Sequence, residues 1–471
     1  MLAILFRRLG RDSASLSISL SLSGAALLGV SVVAIAWSTK LAIILVVGLS
    51  AALFLALSPR GTRGAAASTL FLAVFPDSPS VGHIATFIIT PRDIALLFAL
   101  LMVLGSGKVP VLKRSSFRRT WLVWFIIVVV GALANHRPQA VPEFVVFLPL
   151  PFLLGSILGS TPSGAVGALR GLIAGTLVLV MEGFSEFLMH RNLFPPAVHG
   201  LVRFVRAGNT QAAAGWQHPL ALGMFLCTVA FIVIDRAARR GLPLAIVATL
   251  FLAGGVFVTE ERSPLLGFGA GLLVYLLLQR AVRYRIRVLA VMLAGSVGIA
   301  AFPGSGANLF RRFLSSSISS GSASGIDVTG RLILLRLAWS AIKHNPLTGY
   351  SYGVIENTQA VGRLSSYLVF RGSLYSDIAD FPLGIAVDTG LLGLAALVVV
   401  LAGTVLILLR ARREVGTGPY AGLCAGVVAG FVASLGTSAQ SSAMMLLFVC
   451  GLSVSMARMS MGIPGTENVG I

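Results

Sequence analysis

Residues 382–410 read PLGIAVDTGLLGLAALVVVLAGTVLILLR, with Asp388 as the one charge before Arg410. As a helix this stretch runs over about 40 Å, more than the ~30 Å of a bilayer's hydrocarbon core. Inside that core every backbone N–H and C=O must be paired within the segment, which predicts helix and not an open strand. The same reading extends outward along the chain. Runs at 16–36, 41–58, 65–76, 84–106, 119–135, 142–158, 164–185, 219–235, 242–258, 264–280, 287–303, 419–436 and 440–458 are similarly apolar. With 56% apolar and 11% charged residues, the 471-residue chain falls outside the soluble globular range. The expected fold is all-α, a polytopic transmembrane bundle of about 12–14 spans forming one membrane domain over residues 1–471. The weak point is 65–76, short for a span and followed by Pro76-Asp77-Ser78-Pro79.

Charge gives the orientation. The net charge of +20 would suggest nucleic acid in a soluble protein, but here the basic residues cluster in alternate short loops. Arg60 and Arg63, Lys108 to Arg119, Arg236 to Arg240, Arg280 to Arg287 and Arg410 to Arg413 all fall on one side. The positive-inside rule makes that side cytoplasmic, together with both termini, and removes the need for a nucleic-acid partner. The N-terminal run lacks a small-residue cleavage site, so it reads as a retained helix. Cys227, Cys424 and Cys450 lie in apolar runs without metal or disulfide spacing. All six histidines then map to the external side. So do Arg137, Arg191, Arg203, Arg206 and Arg262, which the rule disfavours there, and an anionic ligand is one reason for such placement.

Two external inserts break the apolar pattern. The first, 186–218, mixes Arg191, Arg203 and Arg206 with Phe194, Phe204 and Trp216, a set able to hold phosphate and sugar but also ordinary at a membrane surface. The second, 304–381, opens Gly/Ser-rich at Ser315–Gly325. It continues through Thr329-Gly330-Arg331 and Arg336 to Trp339 and Lys343, with apolar residues at helical spacing but too few to span. That pattern predicts an amphipathic helix lying in the outer interface, ended by His344-Asn345-Pro346. Other charges keep two readings. Arg262 opens a span after Glu260-Glu261 and either pairs with them or faces phosphate; Glu182 and Glu186 close a span in a catalytic or a packing role. Arg92-Asp93 reads as a self-satisfied pair.

An ordered set of pieces links these features: Glu261-Arg262-Ser263-Pro264, then Gly330-Arg331 and Trp339, then Asn345-Pro346-Leu347-Thr348-Gly349-Tyr350-Ser351-Tyr352-Gly353, then Asp388-Thr389-Gly390-Leu391-Leu392-Gly393. Over about residues 200–410 the chain resembles the O-antigen ligase and polymerase superfamily, membrane enzymes that join or extend lipid-linked glycans. The resemblance implies an inverting, metal-independent glycosyltransferase without cofactor, acting outside the cytoplasmic membrane. Its partners would be an undecaprenyl-diphosphate-linked donor, a hydroxyl acceptor and membrane lipids. It also implies that Arg262 and Arg331 hold the diphosphate, supported by Arg206, Arg336 and Trp339. Many relatives carry His-Asn or Asp-Asn shortly before the Gly-Leu-Leu-Gly helix start; this chain has Ala379-Asp380. The base would then be Asp380, Asp377, His344 or His218.

Such a transfer builds negative charge on the departing diphosphate, and fixed guanidinium groups stabilise that charge most in the transition state. A carboxylate beside the acceptor hydroxyl removes its proton. Asp377 and Asp380 are equally suited to capping the helix that starts ahead of Pro382. Ligase and polymerase remain alternatives, as do a transporter of a small anion or envelope precursor and a non-catalytic assembly factor. A transporter predicts internal repeats with broken helices at the midplane.

Overall fold

A polar side chain followed by proline starts each of three long apolar helices. Thr161 Oγ1 accepts from Gly164 N at 3.2 Å ahead of Pro162, and His218 Nδ1 accepts from Leu220 N at 3.1 Å ahead of Pro219. Asp380 Oδ1 accepts from Leu383 N at 3.0 Å ahead of Pro382. The cap meets an amide left over in the first turn, and proline has no amide to leave.

The computed structural model describes residues 63–74, 82–84, 87–89, 92, 96, 117–137, 140–193, 205–206, 209–216, 218–279, 328–352, 369–370, 373–374, 380–416, 419–436 and 440–462. In chain order their helices are α1 (Arg63–Val74), α2 (Arg118–Ala134), α3 (Ala140–Phe147), α4 (Pro149–Gly159), α5 (Pro162–Leu188) and α6 (Pro219–Ala238). Then follow α7 (Leu242–Phe257), α8 (Arg262–Leu278), α9 (Val328–His344), α10 (Phe381–Val415), α11 (Tyr420–Ser434) and α12 (Gln440–Ser460). Three short antiparallel ladders accompany them: β1 (Gly82–Ile84) with β2 (Phe87–Ile89), β3 (Val205–Arg206) with β4 (Asn209–Thr210), and β5 (Val369–Phe370) with β6 (Ser373–Leu374). The architecture is an all-α multi-pass bundle. Five stretches are long and apolar enough to cross a membrane: Ala140–Gly159, α5, α6, α10 and Ala443–Ser460. Large apolar side chains stay exposed along the outer helices, among them Leu122, Ile126 and Leu133 of α2 and Leu266, Leu273 and Leu277 of α8. A bundle bathed in hydrocarbon has no reason to hide them.

Glycines repeated every four residues set the helix crossings. A Cβ on Gly155 of α4 would fall 2.1 Å from Phe448 O of α12, and one on Gly267 of α8 would fall 2.5 Å from Ala429 O of α11. Gly426 of α11 stands as close to Thr228 O of α6, and Gly171 of α5 to Ala66 O of α1. Where lipid removes the hydrophobic drive for helix association, such close backbone approach supplies the attraction.

The structure departs from the sequence reading in three places. A span was expected from residue 84, but Gly82↔Ile89, His83↔Ile88 and Ile84↔Phe87 pair as a ladder. β-Branched and aromatic residues there favour extended backbone. The run 142–158 divides at Leu148, between Phe147 and Pro149. The run 382–410 is one helix only in outline, because Gly390 breaks it with φ 71° and ψ −176°. The predicted runs 16–36, 41–58 and 287–303 lie outside the described residues, as do Ser315–Gly325 and Asp93.

Candidate functional site

The break at Gly390 frees backbone groups, and the segment after α9 takes them. Pro346 stops α9, and the chain turns back so that Tyr350 N donates to Val387 O at 3.0 Å and Ser351 N to Asp388 O at 2.9 Å. Leu391 N donates to Pro346 O at 2.8 Å. Two motif pieces separated by some thirty-five residues in sequence are thereby one interlocked unit. Gly349 and Gly390 are required by it: both have positive φ, and a Cβ on Gly390 would fall 2.2 Å from Leu347 O. Asn345 knits the turn, its Nδ2 donating to Gly349 O and its Oδ1 accepting from Thr348 Oγ1 at 3.2 Å.

Helices α2 and α3 back this unit. Trp124 Nε1 donates to Thr389 Oγ1 at 3.4 Å, and the Phe144 and Tyr352 rings meet edge to face at 5.5 Å. Arg137, buried, donates through Nη1 to Tyr352 O at 3.3 Å and lies 3.8 Å from Glu143. A carboxylate and a carbonyl of the protein thus take part of its charge.

Helix α9 is amphipathic as expected. Ala338, Ala341 and Ile342 are buried with Ala386 and Val387 of α10, and Leu337 and Leu383 flank that contact. The other face exposes Leu335, Arg336, Trp339, Lys343 and His344, with Trp339 52% accessible and Lys343 Nζ 5.9 Å from its ring centroid. His344 Nδ1 bonds Ser340 O at 2.8 Å. Arg331 belongs to the first turns of this helix; its side chain, like Asp377, lies outside the described residues. Asp380, half-buried at the start of α10, serves as the cap of that helix.

A second unit surrounds Arg262, the first residue of α8. Gln211 Nε2 donates to Thr259 O at 3.2 Å and to Glu261 Oε1 at 3.0 Å, and Ala212 N donates to Val258 O at 3.0 Å. These bonds seat the end of the first insert on the turn that delivers Arg262. The same loop is held from its other side by Glu186, near the end of α5. Glu186 Oε2 accepts from Ala213 N at 2.7 Å, Ala214 N at 3.0 Å and Asn192 Nδ2 at 3.1 Å, and Oε1 accepts from Leu193 N at 2.8 Å. Of the two readings left open for this residue, these bonds support the structural one. Arg206 pairs through its backbone with Asn209, two residues before Gln211, so Arg206 and Arg262 enter the same assembly. Arg92 is not confined to its own segment, since its guanidinium carbon stands 3.5 Å over the Trp216 ring of this loop. His218 is the cap of α6.

Among the sequence-predicted residues, Arg336, Trp339 and His344 share the exposed face of α9, Asp380 caps the α10 helix on which α9 packs, Arg262 opens α8, and Arg206 lies in the ladder that precedes Gln211. Missed beforehand were the groups that position them: Trp124, Thr389, Glu143, Asn192 and Gln211. Trp124, Thr389 and Gln211 act across large sequence separations that local spacing does not mark, whereas Glu143 and Asn192 stand six residues from Arg137 and Glu186.

No protein of curated function matches the chain. Residues 247–398 match the family model described as O-antigen ligase, 152 of the 471 residues. That segment opens within α7, contains Arg262, α9, the interlocked turn and Asp380, and closes inside α10. Residues 247–398 of this multi-pass protein are therefore similar to the O-antigen ligases of the O-antigen ligase and polymerase superfamily.

Proposed function

We propose that the protein is an inverting, metal-independent glycosyltransferase of cell-surface polysaccharide synthesis. It transfers or polymerises a glycan from an undecaprenyl-diphosphate-linked donor on the external face of the cytoplasmic membrane, with both termini cytoplasmic. The observation that carries this reading is the O-antigen ligase match, whose span holds both Arg262 and the turn locked onto α10.

Depth is consistent with a reaction at the membrane surface. The 25 residues of α10 after Gly390 make a helix of about 37 Å, enough to cross the hydrocarbon unaided. The nine residues of α10 before the break, and the α9 helix packed on them, are then left for the interface, where Arg336, Trp339 and Lys343 suit a sugar diphosphate. Arg262 and Arg331 hold the diphosphate in this reading, aided by Arg206 and Arg336, with Asp380, Asp377 or His344 taking the acceptor proton. The transporter alternative gains little from the broken helix. Transporters keep such breaks near the midplane with carbonyls open to ions, whereas Val387 O and Asp388 O are occupied by Tyr350 and Ser351.

Purified protein given a lipid-diphosphate-linked glycan and an acceptor should transfer glycan in the presence of a chelator. R262A and R331A should each lower turnover by roughly 10²-fold, the scale for removing a charge that meets the transition state. Full activity in both variants at normal expression would remove the diphosphate assignment.

A further inference from the structure

Arg170 stands where a positive charge is expensive. It is the ninth residue of α5, about 12 Å along the helix from Pro162, so the loop rule that explains basic residues outside the spans does not cover it. The groups that share its surroundings make matters worse. Arg236 lies in the last turn of α6 and Arg240 follows it, and α5 packs against α6. Burial lowers the Arg240 pKa, and the charges of Arg236 and Arg170 lower it further. Among the described residues no carboxylate lies within ion-pair distance of Arg170, Arg236 or Arg240. The acid of that turn, Asp235, is turned to Arg239 at 2.9 Å and to Tyr275 Oη at 3.4 Å. Three guanidinium groups from two helices therefore repel one another, and the one carboxylate among the described residues that feels them, Asp235 beside Arg236, is already ion-paired with Arg239.

We propose that this cluster, at the end of the bundle where α5 begins and α6 ends, is a binding site for the headgroup phosphate of an anionic glycerophospholipid. A phosphate accepts paired N–H donors from arginine in a fixed fork and cancels the repulsion directly. The surface beside the cluster suits the rest of such a lipid. Ile173 and Leu177, partly accessible, and Met181, exposed, continue the Arg170 stripe along α5 toward Phe184 and Phe251, where α5 meets α7. An acyl chain laid on that stripe keeps its phosphate at the arginines. A lipid is favoured over a free anion because Arg170 stands within an apolar helix, at a depth that water-borne phosphate reaches poorly. The site is independent of glycan transfer.

The test is native mass spectrometry of the full-length protein, released from detergent after addition of phosphatidylglycerol, phosphatidylcholine or sodium phosphate. Phosphatidylglycerol should be retained as a defined adduct and the other two should not. R170Q and R240Q should each weaken retention by roughly fivefold, the scale of one arginine at an anionic membrane surface, and the double variant by more. R413Q, at the far end of α10, should retain lipid like the parent. Equal retention of phosphatidylcholine, saturation by sodium phosphate alone, or undiminished phosphatidylglycerol on the double variant would each overturn the proposal. Should R170Q fail to fold, R236Q, altering an exposed side chain of the same cluster, gives the same decision.

Discussion

Two irregular segments are pressed onto helices in this protein, and they are held by opposite means. Residues 345–352 are fixed to α10 by main-chain bonds from Tyr350, Ser351 and Leu391, made possible by two glycines. Residues 211–216 are fixed between α5 and the start of α8 by side chains, chiefly the Glu186 carboxyl group and the Gln211 amide. The first arrangement tolerates changes in most side chains but no Cβ at the crossing. The second tolerates shape but depends on one acceptor group. Within the segment that matches the O-antigen ligase family the backbone itself forms the rigid part, while the Arg262 side is braced from outside that segment, by Glu186 and Gln211.

The sharpest way to break the first segment is Gly390→Ala. The new methyl group would meet Leu347 O at 2.2 Å, in a backbone conformation that side chains rarely adopt. Strain and overpacking together should cost about 3–5 kcal/mol, seen as a large fall in the detergent-solution melting temperature. Glycan transfer should be lost with it. A melting temperature close to the parent's would mean that the turn does not seat on α10 as described.

The second segment should break at Glu186. Glu186→Ala leaves the amides of Leu193, Ala213 and Ala214 without their acceptor, a loss of about 2–4 kcal/mol. Glu186→Gln keeps one carbonyl for the three donors on Oε2 but turns an amide toward Leu193 N, and should cost about half as much. Both should reduce transfer more than Gly-independent surface changes do, because the loop they release carries Gln211 to the turn before Arg262. If Glu186→Ala melts like the parent, the brace is not what holds this loop.

The sequence was legible wherever one helix speaks for itself. Nine of the predicted runs, from 119–135 through 440–458, recur as helices or paired helices within a few residues, since apolar length and a Pro-marked start are local signals. The amphipathic helix at 329–343 is local in the same way and recurs as Val328–His344. Illegible were the features made by two distant segments. Asp388-Thr389-Gly390 sits inside a continuous apolar run, and only the turn arriving from Pro346 shows why the helix opens there. Arg137 carried the same charge as Arg262 and the same topological oddity, yet Glu143 and the Tyr352 carbonyl answer it. The four-residue glycine spacing at Gly155, Gly159, Gly422, Gly426 and Gly430 is a local pattern, but which helix each glycine admits is settled only by the packing.

Asp380 gives the finest cut between the two segments, because it stands at the foot of the first and has two roles to separate. Its Oδ1 caps α10 through Leu383 N, and in the proposed reaction its carboxylate takes the acceptor proton. Asparagine caps a helix about as well as aspartate but cannot serve as that base. Asp380→Asn should therefore keep the parent's melting temperature while lowering turnover by roughly 10²–10⁴-fold. Asp380→Ala should lose about 1 kcal/mol of stability in addition, the usual worth of a cap. If Asp380→Asn transfers glycan at the parent's rate, capping is the whole of its role. The base must then be sought at Asp377 or at His344, which is exposed at the end of α9.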